Sequence, residues 1–487
     1  MISPKITEIL SSLNSKAKER LSAFLQSPYH NSGYNSKKIV ELFDQLILAQ
    51  HENRLLELEK EQLNQMFYPE HAFIAHKKNP IDALCSDLLA KMKDFLFFEE
   101  AQKIQFDERH LLAQIRFYRR NNYEDRFWQV VRQFRRLQER QQGRDAFFYL
   151  NAFLLEREVA VFRSIFNTYT DDANLALAHQ CLDQFYATQK LDYGTILAFQ
   201  KQLGESISAE DMLTIELLTT NYATHAAFHT PLAELYRVIL DWISDPPGAE
   251  DLEHFSLLLQ EKRKEITHEK FRNLMAFYRY FLGLQYRKEV AGIALLQKIL
   301  DVYKEHLEEG YFLVDDDMIL PQSLHSIITV ATKLGEISWA KEVLWTYPPE
   351  RITGTRYPNE AHALCEALIL FTNEEYEAAQ ETLVYRNFEN INYSILADVL
   401  LIRIYYVLDN ELMHNRIPAL EKKVRRSKLT KQEKSAYVNF LRVLLRILKY
   451  QHDRHSKKWQ KLQADVAEIV PVVEREWLSS IMLEPVQ

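Results

Sequence analysis

The sequence predicts an all-α protein, and three observations carry that prediction. First, only ten of the 487 residues are glycine, about 2% where proteins average about 7%, and glycine supplies many of the turns that strand-rich folds need. Second, helix start signals recur along the chain. Third, no segment alternates apolar and polar residues between glycine turns. We therefore expect helices almost throughout and a strand content close to zero.

Four segments show where helices are expected to begin. Candidate N-caps stand before apolar stripes at Asp172, Ser208, Thr230 and Thr430. An acidic residue follows Ser208 and Thr430 three positions later, as in a capping box, and a proline follows Thr230 directly. After Asp172, the predicted buried face consists of Leu175, Ala178, Leu182 and Phe185.

The chain is too long for one compact core, at 487 residues and 57.7 kDa. The strongest break in its middle is the Asp-Pro-Pro-Gly segment at 245–248. We therefore predict three parts. Residues 1–110 form an N-terminal helical domain, residues 111–245 a helical segment with an Arg-rich face, and residues 246–487 a C-terminal helical-hairpin solenoid.

The cysteines and the apolar segments indicate a cytoplasmic protein. The three cysteines lie far apart and show no CxxC spacing, which predicts reduced, mostly buried thiols and neither disulfides nor a zinc ribbon. Charged residues interrupt the first 26 residues early, so we expect no signal peptide. The most apolar helix, at 437–448, contains two arginines and is too short to span a bilayer.

The sequence lacks the motifs of nucleotide-binding and hydrolytic enzymes: GxGxxG, GKS or GKT, GxSxG and HExxH are all missing. The weak metal candidates are His225 with His229, His452 with His455, and the run Asp315–Asp317. Both histidine pairs lack a further ligand nearby, and adjacent aspartates on a helix would fan out by about 100° per residue. We expect no enzyme activity, no cofactor and no metal, and a helical metal-dependent enzyme stays as a third hypothesis.

Two stretches share one spacing pattern. Ile337, Ala340 and Leu344 correspond to Tyr376, Ala379 and Leu383 at an offset of 39 residues. In each stretch a short turn precedes a bulky residue, a small alanine follows three positions later, and a leucine four after that. The small residue allows two antiparallel helices to approach, and the bulky residues fill the space beside it. A third, poorer copy opens at Leu408.

This pattern resembles the turn and second helix of a tetratricopeptide repeat, whose period is about 34 residues. The resemblance covers roughly residues 271–450, with irregular repeat lengths and with the family's glycine–tyrosine pair mostly absent. It implies a superhelix that acts as a scaffold and holds a protein or peptide in a concave groove. The segment 21–31 is also similar to the start of a group of uncharacterised bacterial helical proteins, a likeness that implies no function.

Positive charge is concentrated in two stretches of a chain whose formal net charge is −8. Residues 116–144 contain nine arginines against three acidic residues, a net +6, and residues 416–461 carry a net +12. The rest of the chain therefore carries −26. Such segregation can steer an anionic partner.

Each basic stretch contains candidate partner-binding residues. The first set is Arg116, Arg119, Arg120, Arg132, Arg135, Arg136 and Arg140, the last four on the outer side of a helix whose core stripe is Phe127, Val130, Phe134 and Leu137. The second is Asn439, Arg442, Arg446 and Lys449, a polar stripe on an otherwise apolar helix. Two interpretations remain open for the arginine face: ion pairs with acidic helices of the same chain, or an anion-binding surface.

These observations predict a non-enzymatic scaffold that binds an acidic protein or peptide. The alternative is a regulatory protein that binds nucleic acid through the same basic patches. We expect no membrane partner. The sequence indicates neither the identity of the partner nor the oligomeric state.

Overall fold

A computed structural model shows an all-α chain, with 23 α-helices in the part that the structure describes. The described residues are 4–52, 54–55, 58–103, 106–165, 173–202, 207–222, 229–288, 292–314 and 317–483. The strands within these ranges are β1 (Leu313–Val314) and β2 (Met318–Ile319), which pair antiparallel. The all-α prediction is confirmed. None of the described helices is both long and apolar enough to cross a membrane.

The helices form two compact units, residues 1–137 and 138–487. Unit 1 contains α1 (Pro4–Ser12), α2 (Ser15–Gln26), α3 (Ser36–His51), α4 (Lys60–Phe67), α5 (Pro80–Lys103) and α6 (Phe106–Arg120), and α7 (Glu124–Arg140) continues past its end. Helix α5 is central, because α1, α2, α3, α4 and α6 all pack on it. The division into parts at residues 110 and 245 stays a prediction.

Unit 2 begins with a group of seven helices. They are α8 (Ala146–Ile165), α9 (Ala173–Gln202), α10 (Ala209–Tyr222), α11 (Pro231–Ser244), α12 (Ala249–Lys262), α13 (His268–Lys288) and α14 (Ile293–Glu308). A 3₁₀ turn at Arg263–Glu265 follows α12, and the Asp-Pro-Pro-Gly segment separates α11 from α12.

The helices after β2 form consecutive hairpins. They are α15 (Pro321–Lys333), α16 (Ile337–Thr346), α17 (Pro358–Thr372), α18 (Tyr376–Val384), α19 (Ile391–Val407), α20 (Leu412–Arg426), α21 (Lys431–Tyr450), α22 (Lys457–Glu468) and α23 (Arg475–Leu483). A 3₁₀ turn at Pro349–Arg351 lies between α16 and α17. Helix α15 packs on α16 and α17, α17 on α18 and α19, and α19 on α20. Helices α15 and α17 therefore each pack on the second helix of their own hairpin and on the first helix of the next hairpin.

The hairpins α15–α16, α17–α18 and α19–α20 turn in the same way. The second residue after the first helix of each hairpin has a positive φ: +75° at Gly335, +64° at Glu374 and +49° at Asp409. In each case the next residue donates its N–H to a carbonyl five positions back, as from Glu336 to Ala331 at 3.0 Å. These bonds define a Schellman motif, in which a left-handed residue ends a helix.

The spacing pattern predicted from sequence has the expected structural role. Helices α16 and α18 begin at Ile337 and Tyr376, the bulky residues of the two copies. Ala340 and Ala379 are completely buried where each helix packs on its partner. In α20 the pattern shifts, because Met413, Ile417, Leu420 and Val424 are the buried residues. The third copy therefore keeps the turn and loses the alanine.

The helix caps predicted from the sequence are confirmed more fully than the predicted buried face of α9. The hydroxyl oxygens of Thr230 and Thr430 accept N–H bonds from the third residue beyond, and Thr430 completes a capping box. The predicted buried face of α9 is wrong at Leu175 and Leu182, which are 60% and 40% exposed, and is confirmed at Ala178, which is buried. The side of α9 that α8 and α11 cover contains Cys181, Ala187, Thr188 and Leu191 instead. Asp172, the predicted cap, lies outside the described residues.

Candidate partner-binding surfaces

Helix α7 presents a cationic face to solvent. Arg132, Arg136 and Arg140 are exposed, and their spacing of four residues aligns them on one side. Asp125 and Glu139 share that side and reduce its net charge. The opposite side buries Phe127, Val130, Val131 and Phe134. Arg132 and Arg136 form no ion pair with any residue that the structure describes, and a binding role for them stays a prediction.

Aromatic side chains mark the turn between α6 and α7. Phe117 and Tyr123 are 57% and 55% exposed, and Tyr118 contacts them edge-on at 5.6 and 6.3 Å between ring centroids. Of the four other predicted arginines, Arg120 is exposed. The remaining three, Arg116, Arg119 and Arg135, are half-buried and have contacts within the chain. The surface therefore combines exposed aromatic rings with some, but not all, of the predicted cations.

The predicted stripe on α21 divides into two parts. Arg442 and Lys449 are exposed. Asn439 donates to the carbonyl of Pro471 at 2.8 Å, and Arg446 forms an ion pair with Asp465 at 2.7 Å. Half of the stripe thus holds α21 to the segment that follows it. A binding role for these four residues stays a prediction.

Two cavities whose lining residues we did not predict lie on either side of the first helices of the hairpins in unit 2. One cavity of about 520 Å³ opens between α13, α14 and α15, and another of about 490 Å³ between α15, α17, α19 and α23. The two cavities share His325, Thr329 and Lys333 on α15. Because these three residues line both cavities, we treat the two cavities together and call them the hairpin groove. The volume of each cavity falls within the range of protein ligand sites.

Two cations of the hairpin groove bind carboxylates of the chain's own C-terminal segment. Lys333 Nζ lies 2.7 Å from Glu476 Oε2, and the Tyr286 hydroxyl donates to Glu476 Oε1 at 2.7 Å. Both oxygens of this carboxylate are therefore engaged. Burial alone would raise the pKa of Glu476, but the hydrogen bonds from Lys333 and Tyr286 lower it below its usual value.

Arg403 is the second cation. Its Nη1 lies 2.9 Å from Glu474 Oε2, and its guanidinium stacks over the ring of Phe371 at 4.5 Å. The ring of Trp477 also lies 5.8 Å from this guanidinium. The Nε of Arg403 is buried without a hydrogen-bond partner among the described residues. Burial lowers the pKa of Arg403, and the charge of Glu474 partly offsets that effect.

Sequence reasoning missed Lys333 and Arg403, although one signal was present. Arg403 and Asp398 are the only charged residues of α19, an otherwise apolar helix. An isolated cation in such a helix needs a partner or a polar cavity, because a buried charge is costly otherwise. Asp398 has two such partners, Arg416 and Lys423. The position of Arg403 in the same apolar helix therefore indicates a partner carboxylate or a polar cavity.

Metal candidates receive no support from the part of the chain that is described. No three His, Cys, Asp or Glu side chains lie close enough together there to hold a metal ion. His225, Asp315 and Asp316 lie outside the described residues. Asp317 is exposed, with Arg351 Nε 3.8 Å from its carboxylate.

The three cysteines are free and buried, as predicted. Burial raises the pKa of Cys85 and Cys181 to about 11 and that of Cys365 to about 12. Such thiols stay protonated at neutral pH and are poor nucleophiles.

Comparisons with protein-family models, with curated proteins and with solved structures find no match for this chain.

Proposed function

We propose that this chain is a non-enzymatic cytoplasmic scaffold that binds an acidic protein or peptide in the hairpin groove. The resemblance of its hairpins to tetratricopeptide repeats implies this class of function. The observation that carries the proposal is that Lys333 and Arg403 already bind two carboxylates in the groove. A groove with that chemistry suits a partner that supplies acidic groups.

The walls of the groove favour a peptide over a small anion. Apolar and aromatic side chains surround the two cations, among them Tyr280, Leu296, Phe312, Leu368 and Phe371. Such walls can bury the apolar side chains of a peptide, while the cations fix its position through charged hydrogen bonds. We therefore expect apolar contacts with the walls of the groove to supply most of the affinity for the partner, and the charged hydrogen bonds to set its orientation.

Site-specific crosslinking tests this function. Ser326 lines the cavity between α13 and α15, whereas Ser338 is exposed on α16 and lines neither cavity of the groove. With benzoylphenylalanine at Ser326, we expect ultraviolet crosslinking in a native extract to capture a partner that the same probe at Ser338 does not capture.

The charge of the groove should control that crosslink. Lys333→Glu should reduce it at least about tenfold, because one charged hydrogen bond is replaced by repulsion. Lys298→Glu on α14 is the matched control, since Lys298 is exposed and does not line the groove. Equal crosslinking at Ser326 and Ser338, or equal loss in both lysine variants, would contradict the proposal.

The second candidate function is nucleic-acid binding by unit 1. Exposed Arg132 and Arg136 on α7, together with exposed Phe117 and Tyr123 at the preceding turn, favour it. Arginine binds phosphate oxygens, and aromatic rings stack on unpaired bases.

A further inference from the structure

Helix α23 has two chemically different sides. One side buries Leu478, Ile481 and Met482, and the helix packs on α21 and α22. The other side, together with the residue just before the helix, brings Glu474 and Glu476 into the hairpin groove. The helix is thus anchored by apolar contacts and reaches the groove with its acidic groups.

The residue between the two carboxylates is held elsewhere. Arg475 donates to the carbonyls of Val466 and Ile469 at the end of α22. Its guanidinium is therefore engaged at the end of α22.

The polar contacts of Glu474 and Glu476 are of a kind that a competitor can replace. The side chains of Glu474 and Glu476 remain 36% and 57% exposed. The Lys333–Glu476 pair is exposed on both sides and contributes little to stability. Arg403 is mostly buried, so a carboxylate that displaces Glu474 must itself pair with Arg403. Glu474 also has a φ of +53°, a conformation that residues other than glycine seldom adopt. The buried apolar side of α23 does not depend on either carboxylate.

We propose that α23 is a built-in ligand of the hairpin groove, and that the external partner is an acidic segment at the start of a helix, with the same chemistry. That segment carries two carboxylates separated by one residue and followed by an aromatic side chain, as Glu474, Glu476 and Trp477 do. The acidic side of α23 leaves the groove when the partner binds. This inference rests on the proposed function and adds the chemistry of its ligand.

A peptide with the sequence of residues 471–480 tests the inference when supplied to the full-length protein. Its affinity is measured by fluorescence anisotropy against the wild-type chain and against the double variant Glu474→Gln with Glu476→Gln. We expect the double variant to bind the peptide about tenfold more tightly, because self-occupation reduces apparent affinity in proportion to the occupied fraction. Equal affinity for the two chains, or no binding to the variant, would overturn the inference.

A charge exchange provides a second test that does not need the double variant to fold. The Lys333→Glu chain should bind a peptide carrying Glu476→Lys more tightly than the original peptide, and the wild-type chain should show the opposite preference. Lys298→Glu should behave as the wild type. A Lys333→Glu chain that still prefers the original peptide would contradict direct contact.

The two proposals fail in different ways. Peptide binding as expected, with no specific crosslink from Ser326 in the extract, would leave α23 as an internal ligand and remove the scaffold function. A specific crosslink from Ser326, with a peptide that binds both chains equally, would keep the scaffold function and remove the inference about α23.

Discussion

A single buried histidine shows how packing determines protonation. His306 is 5% exposed, and Arg279 donates to its Nδ1 at 3.0 Å. Burial and the neighbouring Arg279 charge lower the pKa of His306 to about 3. The imidazole is therefore neutral in the folded protein at physiological pH, and the hydrogen bond requires an unprotonated Nδ1.

Acid should destabilise the protein through His306. The unfolded chain binds a proton on this residue near pH 6.5, whereas the folded chain does so only near pH 3. The contribution of the neutral His306 to the free energy of unfolding is therefore fully present above pH 6.5 and is lost as the pH falls toward 3. Between pH 7 and pH 5 we expect a loss of about 2 kcal/mol in the free energy of unfolding, and urea denaturation at both pH values measures it.

Two substitutions separate His306 from other acid-sensitive groups. His306→Gln should show a loss between pH 7 and pH 5 that is smaller than the wild-type loss by about 2 kcal/mol. His452→Gln, which removes an exposed histidine, is the matched control variant. If His306→Gln keeps the full pH dependence, the imidazole is not held neutral by the fold.

At the scale of the element, the hairpin turns depend on left-handed residues. Adding a methyl group at Gly335 meets no atom within 4 Å, so Gly335→Ala changes only the backbone energy at a φ of +75°. We expect a loss of about 1 kcal/mol in stability to urea, the cost of placing an L side chain in that region.

A second glycine provides the matched control for Gly335. Gly283 lies within α13 and also has open space around the added methyl group. Gly283→Ala should raise stability by about 0.5–1 kcal/mol, because alanine favours helical backbone. Changes of the same sign in both variants would show that the left-handed conformation at Gly335 is not what matters.

Features encoded by nearby residues could be predicted from the sequence. The caps at Thr230 and Thr430 and the buried Ala340 and Ala379 depend on residues a few positions apart, and all four are as expected. The buried side of α9 could not be predicted in this way, because the neighbours α8 and α11 determine it.

The hairpin groove needed information that a local pattern does not contain. Tyr286 and Glu476 are separated by 190 residues in the chain and meet only in the fold. Glu374 and Asp409 occupy turn positions where glycine is usual, so two of the three Schellman motifs had no glycine signal. Long-range contacts and tolerated backbone strain therefore account for what the sequence did not indicate.

At the scale of the whole molecule, the uneven charge distribution allows a decisive test of the nucleic-acid alternative. A net charge of −8 opposes binding to a polyanion, so any affinity must come from the local basic stretches. Arg132 and Arg136 are exposed cations of the first stretch, and neither forms an ion pair with a described residue.

Salt dependence identifies such contacts. If unit 1 binds single-stranded nucleic acid, the affinity measured by gel shift should fall steeply with added salt. The double variant Arg132→Glu with Arg136→Glu should reduce the slope of log affinity against log salt concentration by about 1.4, or about 0.7 for each lost phosphate contact. Lys16→Glu with Lys37→Glu changes the net charge equally, at exposed lysines outside the basic stretches, and should change the slope less. If the two double variants have equal effects, net charge alone accounts for the attraction.

If the protein retains no nucleic acid in the gel at low salt, this alternative is excluded, because electrostatic attraction is strongest there. The groove would then be the remaining candidate for partner binding.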